Sequence, residues 1–77
     1  MKVMIEIKLY ATLRSYAPAN TVRYAVEAGT SVEKIVEALH IPREQIKLLF
    51  RNGVKCGLET ILKDNDRIGI FPPVGGG

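Results

Sequence analysis

The chain has 77 residues, of which 47% are hydrophobic and 25% charged, and this composition predicts one small folded domain. A single cysteine and a single histidine exclude a disulfide framework and most metal or two-imidazole sites, so we predict no metal site and a reducing, cytoplasmic location. The net charge of +3 comes from scattered residues, and the five tyrosines and phenylalanines are too few for base stacking, which argues against nucleic-acid binding. The short apolar stretches also argue against a membrane span or a secretion signal.

Two segments of period two open the chain and predict strands with one buried face each. Residues 2–9 are apolar at every odd position, with Met4 as the exception, and the pattern returns over residues 21–27. The buried face of the second strand is predicted to consist of Val22, Tyr24 and Val26. Residues 10–20 between the strands are too many for a tight hairpin. Within this insertion, a helical turn that contacts the core is expected from Leu13, Tyr16 and Ala17.

One helix follows the second strand. Thr30 and Glu33 have the spacing of a capping box, in which each side chain bonds the backbone amide of the other residue. Apolar residues at helical spacing form one stripe: Val32, Ile35, Val36 and Leu39. Pro42 predicts that the helix ends near His40, and a protonated His40 would interact favourably with the helix dipole there.

The remaining elements complete a sheet. They are a strand over residues 46–51, a hairpin turn at Asn52-Gly53, a short edge strand over residues 54–56, a crossing over residues 58–63, a polar turn over residues 63–66 and a last strand over residues 67–71. Pro72-Pro73 ends that strand because proline donates no ladder hydrogen bond. This order predicts an α+β fold, with a mixed sheet of four to five strands packed on one main helix.

Several polar side chains invite a functional interpretation and also have a structural one. Cys56 is interpreted as a packing residue, since no base is identifiable beside it. Asp64 and Asp66 are interpreted as turn residues rather than as a cation site. Four cations are expected on the exposed sheet face, where they meet either an acidic partner or solvent: Lys47, Arg51, Lys55 and Arg67.

The chain ends in three consecutive glycines, which a folded core has no use for because glycine loses the most entropy on ordering. One interpretation is a frayed terminus. The alternative starts from Pro72-Pro73, which favours extended geometry. A thin segment beyond the prolines can project its carboxylate about 10 Å into a narrow partner site. We therefore predict a domain over residues 1–74 and a flexible tail over residues 75–77, with Phe71 either capping the core or contacting a partner.

Three segments resemble one family. Residues 71–77, FPPVGGG, are similar to the C-termini of the ubiquitin-like sulfur carriers, above all the small subunit of molybdopterin synthase. Residues 9–14 resemble the aromatic-x-x-Leu-Arg segment of that family, and residues 62–68 resemble an element shared with the thiamine-pathway carrier. The resemblance implies a β-grasp fold. Asn65 stands where the family has glycine, and asparagine tolerates the left-handed geometry of such a turn.

The resemblance also implies a carrier cycle rather than an enzyme with its own active site. A ubiquitin-activating-type enzyme would use ATP to adenylate the carboxylate of Gly77, and a persulfide donor would convert it to a thiocarboxylate. The large subunit of molybdopterin synthase would then receive the sulfur for the pterin dithiolene. Partner contacts are implied for Phe71, Pro72, Pro73, Val74, Gly75 and Gly76. The chain itself would bind no cofactor, consistent with its lack of a phosphate-binding loop.

Three other functions stay open at this point. A carrier for thiamine thiazole or another cofactor would keep the chemistry and change the acceptor, although the insertion of residues 10–20 favours the pterin branch. A protein modifier would join Gly77 to lysines. A plain interaction domain would carry an idle tail.

Overall fold

The computed structural model describes residues 1–73 and shows a five-stranded mixed sheet packed on one main helix. The strands are β1 (Lys2–Leu9), β2 (Tyr24–Glu27), β3 (Leu48–Arg51), β4 (Val54–Lys55) and β5 (Arg67–Phe71), in the spatial order β2-β1-β5-β3-β4. β1 and β5 pair in parallel, and the other neighbours are antiparallel. The helix α1 spans Val32–Ala38, and short 3₁₀ helices span Ala11–Tyr16 and Arg43–Gln45. The predicted α+β architecture is confirmed.

The core lies between the sheet and α1, where the two apolar periodicities meet. Period two places the odd-numbered residues of β1 and the even-numbered residues of β5 on the same face. The helical stripe predicted from the sequence covers that face and is buried throughout. The buried residues are Ile5, Ile7, Leu13, Val26, Val32, Ile35, Val36, Leu39, Ile41, Leu49, Leu62, Ile68 and Ile70. Leu13 comes from the predicted helical turn of the insertion and is completely buried.

The capping box predicted at the start of α1 is wrong. The Thr30 hydroxyl donates to a carbonyl at the end of β2, and Ser31 is the N-cap, accepting from the Lys34 amide at 3.4 Å. The Glu33 amide donates to the Leu58 carbonyl at 2.9 Å. The helix entrance is therefore joined to the segment after β4, a tertiary contact that competes with the local box.

The end of α1 near His40 is confirmed, and the backbone shows what ends it. His40 has φ of +62°, and its amide donates to the Glu37 carbonyl while the Ile41 amide donates to the Val36 carbonyl, both at 3.1 Å. These two bonds form a Schellman motif, which requires a left-handed residue at this position. Histidine has a Cβ atom, so this left-handed conformation of His40 is sterically unfavourable.

β2 is shorter than predicted. Its first residue is Tyr24 rather than residue 21, and Val22 is 67% exposed instead of facing the core. The cause is the Asn20 carboxamide oxygen, which accepts from the amides of Val22 and Arg23 at 3.1 and 3.0 Å. Such a side-chain turn replaces ladder hydrogen bonds.

The hairpin turn between β3 and β4 is confirmed, although both strands are shorter than predicted. Asn52 and Gly53 have φ of +53° and +83°, as a type I′ turn requires. Residues 46–51 do not form one strand because the Ile46 amide ends the second 3₁₀ helix by donating to Arg43. The crossing that follows β4 is held to α1 by an isolated bridge between Ser31 and Ile61.

Asp66 ties the β3–β4 hairpin to the start of β5. It is only 7% exposed, and its two oxygens accept from the Lys63 amide at 2.8 Å and the Asn52 carboxamide at 3.0 Å. The Asn52 oxygen in turn accepts from the Arg67 amide at 2.9 Å. The turn interpretation is therefore correct for Asp66, but the residue is buried rather than solvated.

Two other residues of this turn form hydrogen bonds with the backbone of Met4 in β1. Asp64 accepts from the Met4 amide at 2.8 Å, and the Asn65 amide donates to the Met4 carbonyl at 2.7 Å. Asn65 has φ of +70°, so it adopts the left-handed geometry expected of it. Within residues 1–73 no three His, Cys, Asp or Glu side chains cluster as metal ligands, and none of the helices there is long and apolar enough to cross a membrane.

Replacing His40 with glycine removes the left-handed penalty, so we expect His40→Gly to raise the free energy of unfolding by about 1 kcal/mol and the melting temperature by about 4–8 °C. The matched control is Ala38→Gly in the last turn of α1, which we expect to lower stability by about 1 kcal/mol. Thermal unfolding followed by circular dichroism measures both. Shifts of the same sign would contradict the Schellman assignment.

Removing the Asp66 carboxylate leaves a backbone amide and a carboxamide without their acceptor. We expect Asp66→Ala to lower the free energy of unfolding in urea by about 2–3 kcal/mol. Asp64→Ala, two residues away and exposed, should cost about 1 kcal/mol or less. Equal losses would show that burial of the Asp66 network contributes nothing.

Candidate functional site: the end of β5 and the outer sheet face

The chain is held firmly up to the last residue of β5. The Lys47 amide donates to the Phe71 carbonyl at 2.7 Å, and the Tyr10 amide donates to the Ile70 carbonyl at 3.3 Å. The next residue, Pro72, is buried, whereas Pro73 is exposed. The part of the chain that the structure describes therefore ends at an exposed residue, Pro73, which we call the exit point. The predicted site residues Val74, Gly75, Gly76 and Gly77 lie outside the described residues, as does the predicted domain boundary after residue 74.

Phe71 does not cap the core. Ile68 and Ile70 face α1, so the alternating residues Arg67, Gly69 and Phe71 face the other side of the sheet. We call this side, opposite α1, the outer face. Phe71 is half-buried on this face, so the interpretation that it caps the core is wrong, and its contact with a partner stays a prediction.

Phe71 belongs to a group of three rings, Tyr10, Phe50 and Phe71, that we call the aromatic triad. The rings of Tyr10 and Phe71 are stacked, with centroids 4.0 Å apart and planes inclined by 6°. The Phe50 ring meets Phe71 edge-on, with centroids 5.5 Å apart and planes at 80°. The stack orients Phe71 and so defines the surface beside the exit point of the chain.

Gly69 opens a recess beside the triad. It lies at the middle of β5, opposite Lys8 on β1 and Phe50 on β3, and the recess has a volume of about 220 Å³. A Cβ at Gly69 would contact the Phe71 and Tyr10 rings at 3.6 Å, an ordinary van der Waals distance. The glycine thus leaves space between rings without being required by the backbone.

Two cations rim this apolar recess. Lys8 on β1 and Arg67 on β5 line the recess. The Lys8 Nζ and Arg67 Nε atoms lie 3.7 and 3.6 Å from the carboxylate oxygens of Glu6. One carboxylate for two cations leaves the rim with excess positive charge. The outer face therefore offers an apolar, aromatic centre with a cationic edge, which fits an apolar protein surface with acidic residues around it.

The prediction that four cations gather on this face is partly wrong. By strand register, Lys55 lies on it beside Phe50, and Arg67 also lies on it. Arg51 lies on the opposite face, where it donates to the Ile61 carbonyl at 3.3 Å. A shift of one residue along β3 reverses the face, and this separates Arg51 from the others. Lys47 precedes β3 and is exposed.

The sequence alone does not single out Tyr10, Phe50 or Gly69 as candidate site residues. The available signal was the aromatic-x-x-Leu-Arg segment, in which two of the three marked positions have separate structural roles: Tyr10 stacks on Phe71 and Leu13 fills the core. Ala11, between them, has φ of +53° and turns the chain from β1 into the 3₁₀ helix. Cys56 is half-buried against the core, which confirms its interpretation as a packing residue.

Comparison with known proteins gives the family. The ThiS family matches residues 7–77, nearly the whole chain and both motif-bearing ends, so the chain belongs to the ThiS family. No match was found among curated proteins.

Three solved structures share the fold. SAMP1 from Haloferax volcanii is 27% identical with a TM-score of 0.72, covering 96% of this chain and 99% of that one. The small archaeal modifier protein 1 from Methanosarcina acetivorans is 29% identical with a TM-score of 0.65, covering 100% and 99%. Subunits 1 and 2 of molybdopterin-converting factor from Helicobacter pylori form a complex that matches at 22% identity and a TM-score of 0.56, covering 97% of this chain and 100% of the matched one.

Family and fold together define the class. The chain is a β-grasp protein of the ubiquitin-like sulfur carriers and modifiers. The resemblance inferred from three short segments is thereby confirmed at the level of the family.

The triad generates a prediction about stability. Tyr10→Phe keeps the stacked ring, and we expect the free energy of unfolding to change by less than about 0.5 kcal/mol. Tyr10→Ala removes the ring from Phe71 and should cost about 1–2 kcal/mol. Urea unfolding measures both, with near-ultraviolet circular dichroism reporting ring packing. A Tyr10→Ala protein as stable as the wild type would show that the stack does not hold Phe71.

Proposed function

We propose that this chain carries sulfur as a thiocarboxylate on Gly77 and donates it to molybdopterin synthesis. The observation that carries the proposal is the family match, which runs through the terminal glycines at residue 77. The geometry of the exit supports it, because a fixed Phe71 and an exposed Pro73 place whatever follows at a defined point on the surface. The chain needs no catalytic group of its own for this role.

The chemistry begins with a carboxylate, which is a poor electrophile. A Gly77 oxygen attacks the α-phosphate of ATP on a ubiquitin-activating-type enzyme, and pyrophosphate leaves. The terminal sulfur of a persulfide then attacks the acyl carbon and displaces AMP, giving an acyl disulfide. A thiol reduces that disulfide, releasing the thiocarboxylate while the thiol and the donor cysteine become a disulfide. Electrons and sulfur balance, and every reagent other than Gly77 belongs to the partners.

The outer face is where the partners dock in this proposal. The recess at Gly69 lies on the same strand as the exit and is bordered by the triad. A partner that inserts an apolar side chain into the recess and presents carboxylates to Lys8 and Arg67 would hold the exit point over its own active site. Such buried anchors commonly dominate binding energy.

The acceptor proposed is the pterin precursor, held by a large synthase subunit. Two observations support it: the FPP-containing C-terminus typical of that branch, and the occurrence of the same fold in a complex of molybdopterin-converting factor subunits 1 and 2. A thiamine-type acceptor keeps the same carrier chemistry. Purified large subunit with the thiocarboxylated chain distinguishes the two by whether a dithiolene forms.

The test is the intact mass of the chain after incubation with the activating enzyme, ATP and a persulfide donor. We expect an increase equal to the exchange of one oxygen for one sulfur, located at Gly77 and dependent on ATP. One alanine added after Gly77 should abolish it, because the carboxylate then lies one residue too far. An unchanged mass with an active enzyme and an intact terminus would overturn the carrier function.

Docking is tested in the same assay by Gly69→Leu, which fills the recess. We expect the conversion rate at subsaturating carrier concentration to fall about tenfold. Lys34→Leu is the matched control: it adds the same side chain to an exposed position of α1, on the far side of the domain, and should convert normally. Equal rates for the two variants would remove the outer face from the proposal.

A protein modifier is the second candidate, favoured by the 27% identity with SAMP1 and the 29% identity with a second protein named a modifier. In that function a lysine amine displaces AMP and forms an isopeptide bond with Gly77. Peptides carrying a glycine remnant on lysine after digestion of cell extracts would support it. Their absence, together with the sulfur exchange, would leave the carrier function alone.

A further inference from the structure

The edge strand β2 carries backbone groups that the fold leaves unused. The Met4 amide and carbonyl are both bonded on the far side of β1, to Asp64 and Asn65. Met4 pairs with Ala25 in the antiparallel register, so this is a widely spaced pair, and the Ala25 amide and carbonyl point away from β1. They point to the outside of the sheet, since β2 is its edge.

The backbone amide and carbonyl of Glu27, two residues after Ala25, also point away from β1. Its carbonyl accepts from the Thr30 amide at 3.1 Å and from the Thr30 hydroxyl at 2.6 Å, both beyond the sheet. Its amide follows the alternation of Ala25 and points outward. Arg23, on the other side of Ala25, has its amide bonded to Asn20.

We propose that β2 pairs with β2 of a second copy of this chain, antiparallel and centred on Ala25. In this register the two Ala25 residues exchange both of their hydrogen bonds. Arg23 then lies opposite Glu27 of the second copy, and the same pair recurs on the other side of the two-fold axis. Within each monomer, the Arg23 amide and the Glu27 carbonyl already have hydrogen-bond partners, and in the dimer these two groups would face each other. The hydrogen bond between the copies at this pair would therefore run from the Glu27 amide of one copy to the Arg23 carbonyl of the other.

The charges of the strand fit this pairing. Glu27 accepts from Lys2 at 2.8 Å, and that hydrogen bond, with the charge of the ammonium, lowers the pKa of Glu27 and keeps it ionised. Arg23 forms no ion pair within residues 1–73. In the pair, each carboxylate would lie between Lys2 of its own chain and Arg23 of the other. A row of Met4 and Ala25 from each copy would form the apolar centre between the two charged rows.

The pairing leaves the candidate site open. β1 separates β2 from β5, so the recess at Gly69 and the exit at Pro73 stay clear of the contact. Two copies would join into one continuous sheet with a C-terminus from each. The contact is a single strand pair, smaller than a standard interface, so we expect a dissociation constant on the order of 10⁻⁴ M.

Sedimentation velocity over a concentration series tests the dimer. Ala25→Pro removes the outward amide and costs no hydrogen bond within the monomer, because proline is tolerated at such edge positions. We expect this variant to sediment as a monomer with unchanged circular dichroism. Lys55→Pro is the control: Lys55 also lies in a widely spaced pair, with Phe50, at the other edge of the sheet, and this variant should still dimerise.

Charge reversal tests the register independently of proline. Arg23→Glu should weaken dimerisation about tenfold by placing two carboxylates together, and Glu27→Arg should do the same with two cations. The double variant restores opposite charges and should return the dissociation constant to within about threefold of the wild type. A wild-type chain that stays monomeric at millimolar concentration, or a dimer unaffected by Ala25→Pro, overturns the proposal.

Discussion

The parallel pairing of the first and last strands is the interaction on which the rest of this molecule depends. It places β1 and β5 side by side in the middle of the sheet, and their inward isoleucines are almost completely buried under α1. Parallel neighbours cannot be joined by a tight turn, so the helix and the β3–β4 hairpin must lie between them in the sequence. The same pairing brings two distant motifs into contact, since Tyr10 follows β1 and Phe71 ends β5.

The candidate site is a consequence of that contact. β5 is paired on both sides, and the backbone bonds from Tyr10 and Lys47 hold it as far as Phe71. In the proposed function, such a held strand would present the C-terminus to a partner from a fixed position. The aromatic triad and the Gly69 recess occupy the surface next to the end of β5, so the proposed docking surface and the proposed site of delivery share one strand.

The two faces and two edges of the sheet have separate roles. The inner face is covered by α1 and supplies the core. The outer face carries the triad, the recess and the cations Lys8 and Arg67. Of the edges, β4 is a two-residue strand after a type I′ turn, whereas β2 presents outward backbone groups flanked by opposite charges. In the proposed arrangement, the outer face contacts a partner and the β2 edge contacts a second copy of the chain.

Local sequence patterns are sufficient to predict the fold class, the helix and its apolar stripe, the last strand, the Asn52-Gly53 hairpin and, through three short segments, the family. These features depend on local periodicity, turn chemistry and the terminal glycines, all of which are visible in a linear chain. The local predictions that are wrong share one physical cause, which is competition for backbone amides. The Glu33 amide bonds the Leu58 carbonyl instead of closing a capping box, and the Asn20 side chain takes the amides of Val22 and Arg23, so that β2 starts later than predicted.

The face of the sheet on which each candidate site residue lies depends on tertiary contacts. Strand register places Arg51 on the inner face and Phe71 on the outer face. Register alone brings Tyr10, Phe50 and Gly69 together. It also decided that Ala25, an unremarkable residue in the sequence, directs its backbone to the outside. Register is set by pairing between distant segments, and a shift of one residue reverses every side chain, so no local pattern contains this information.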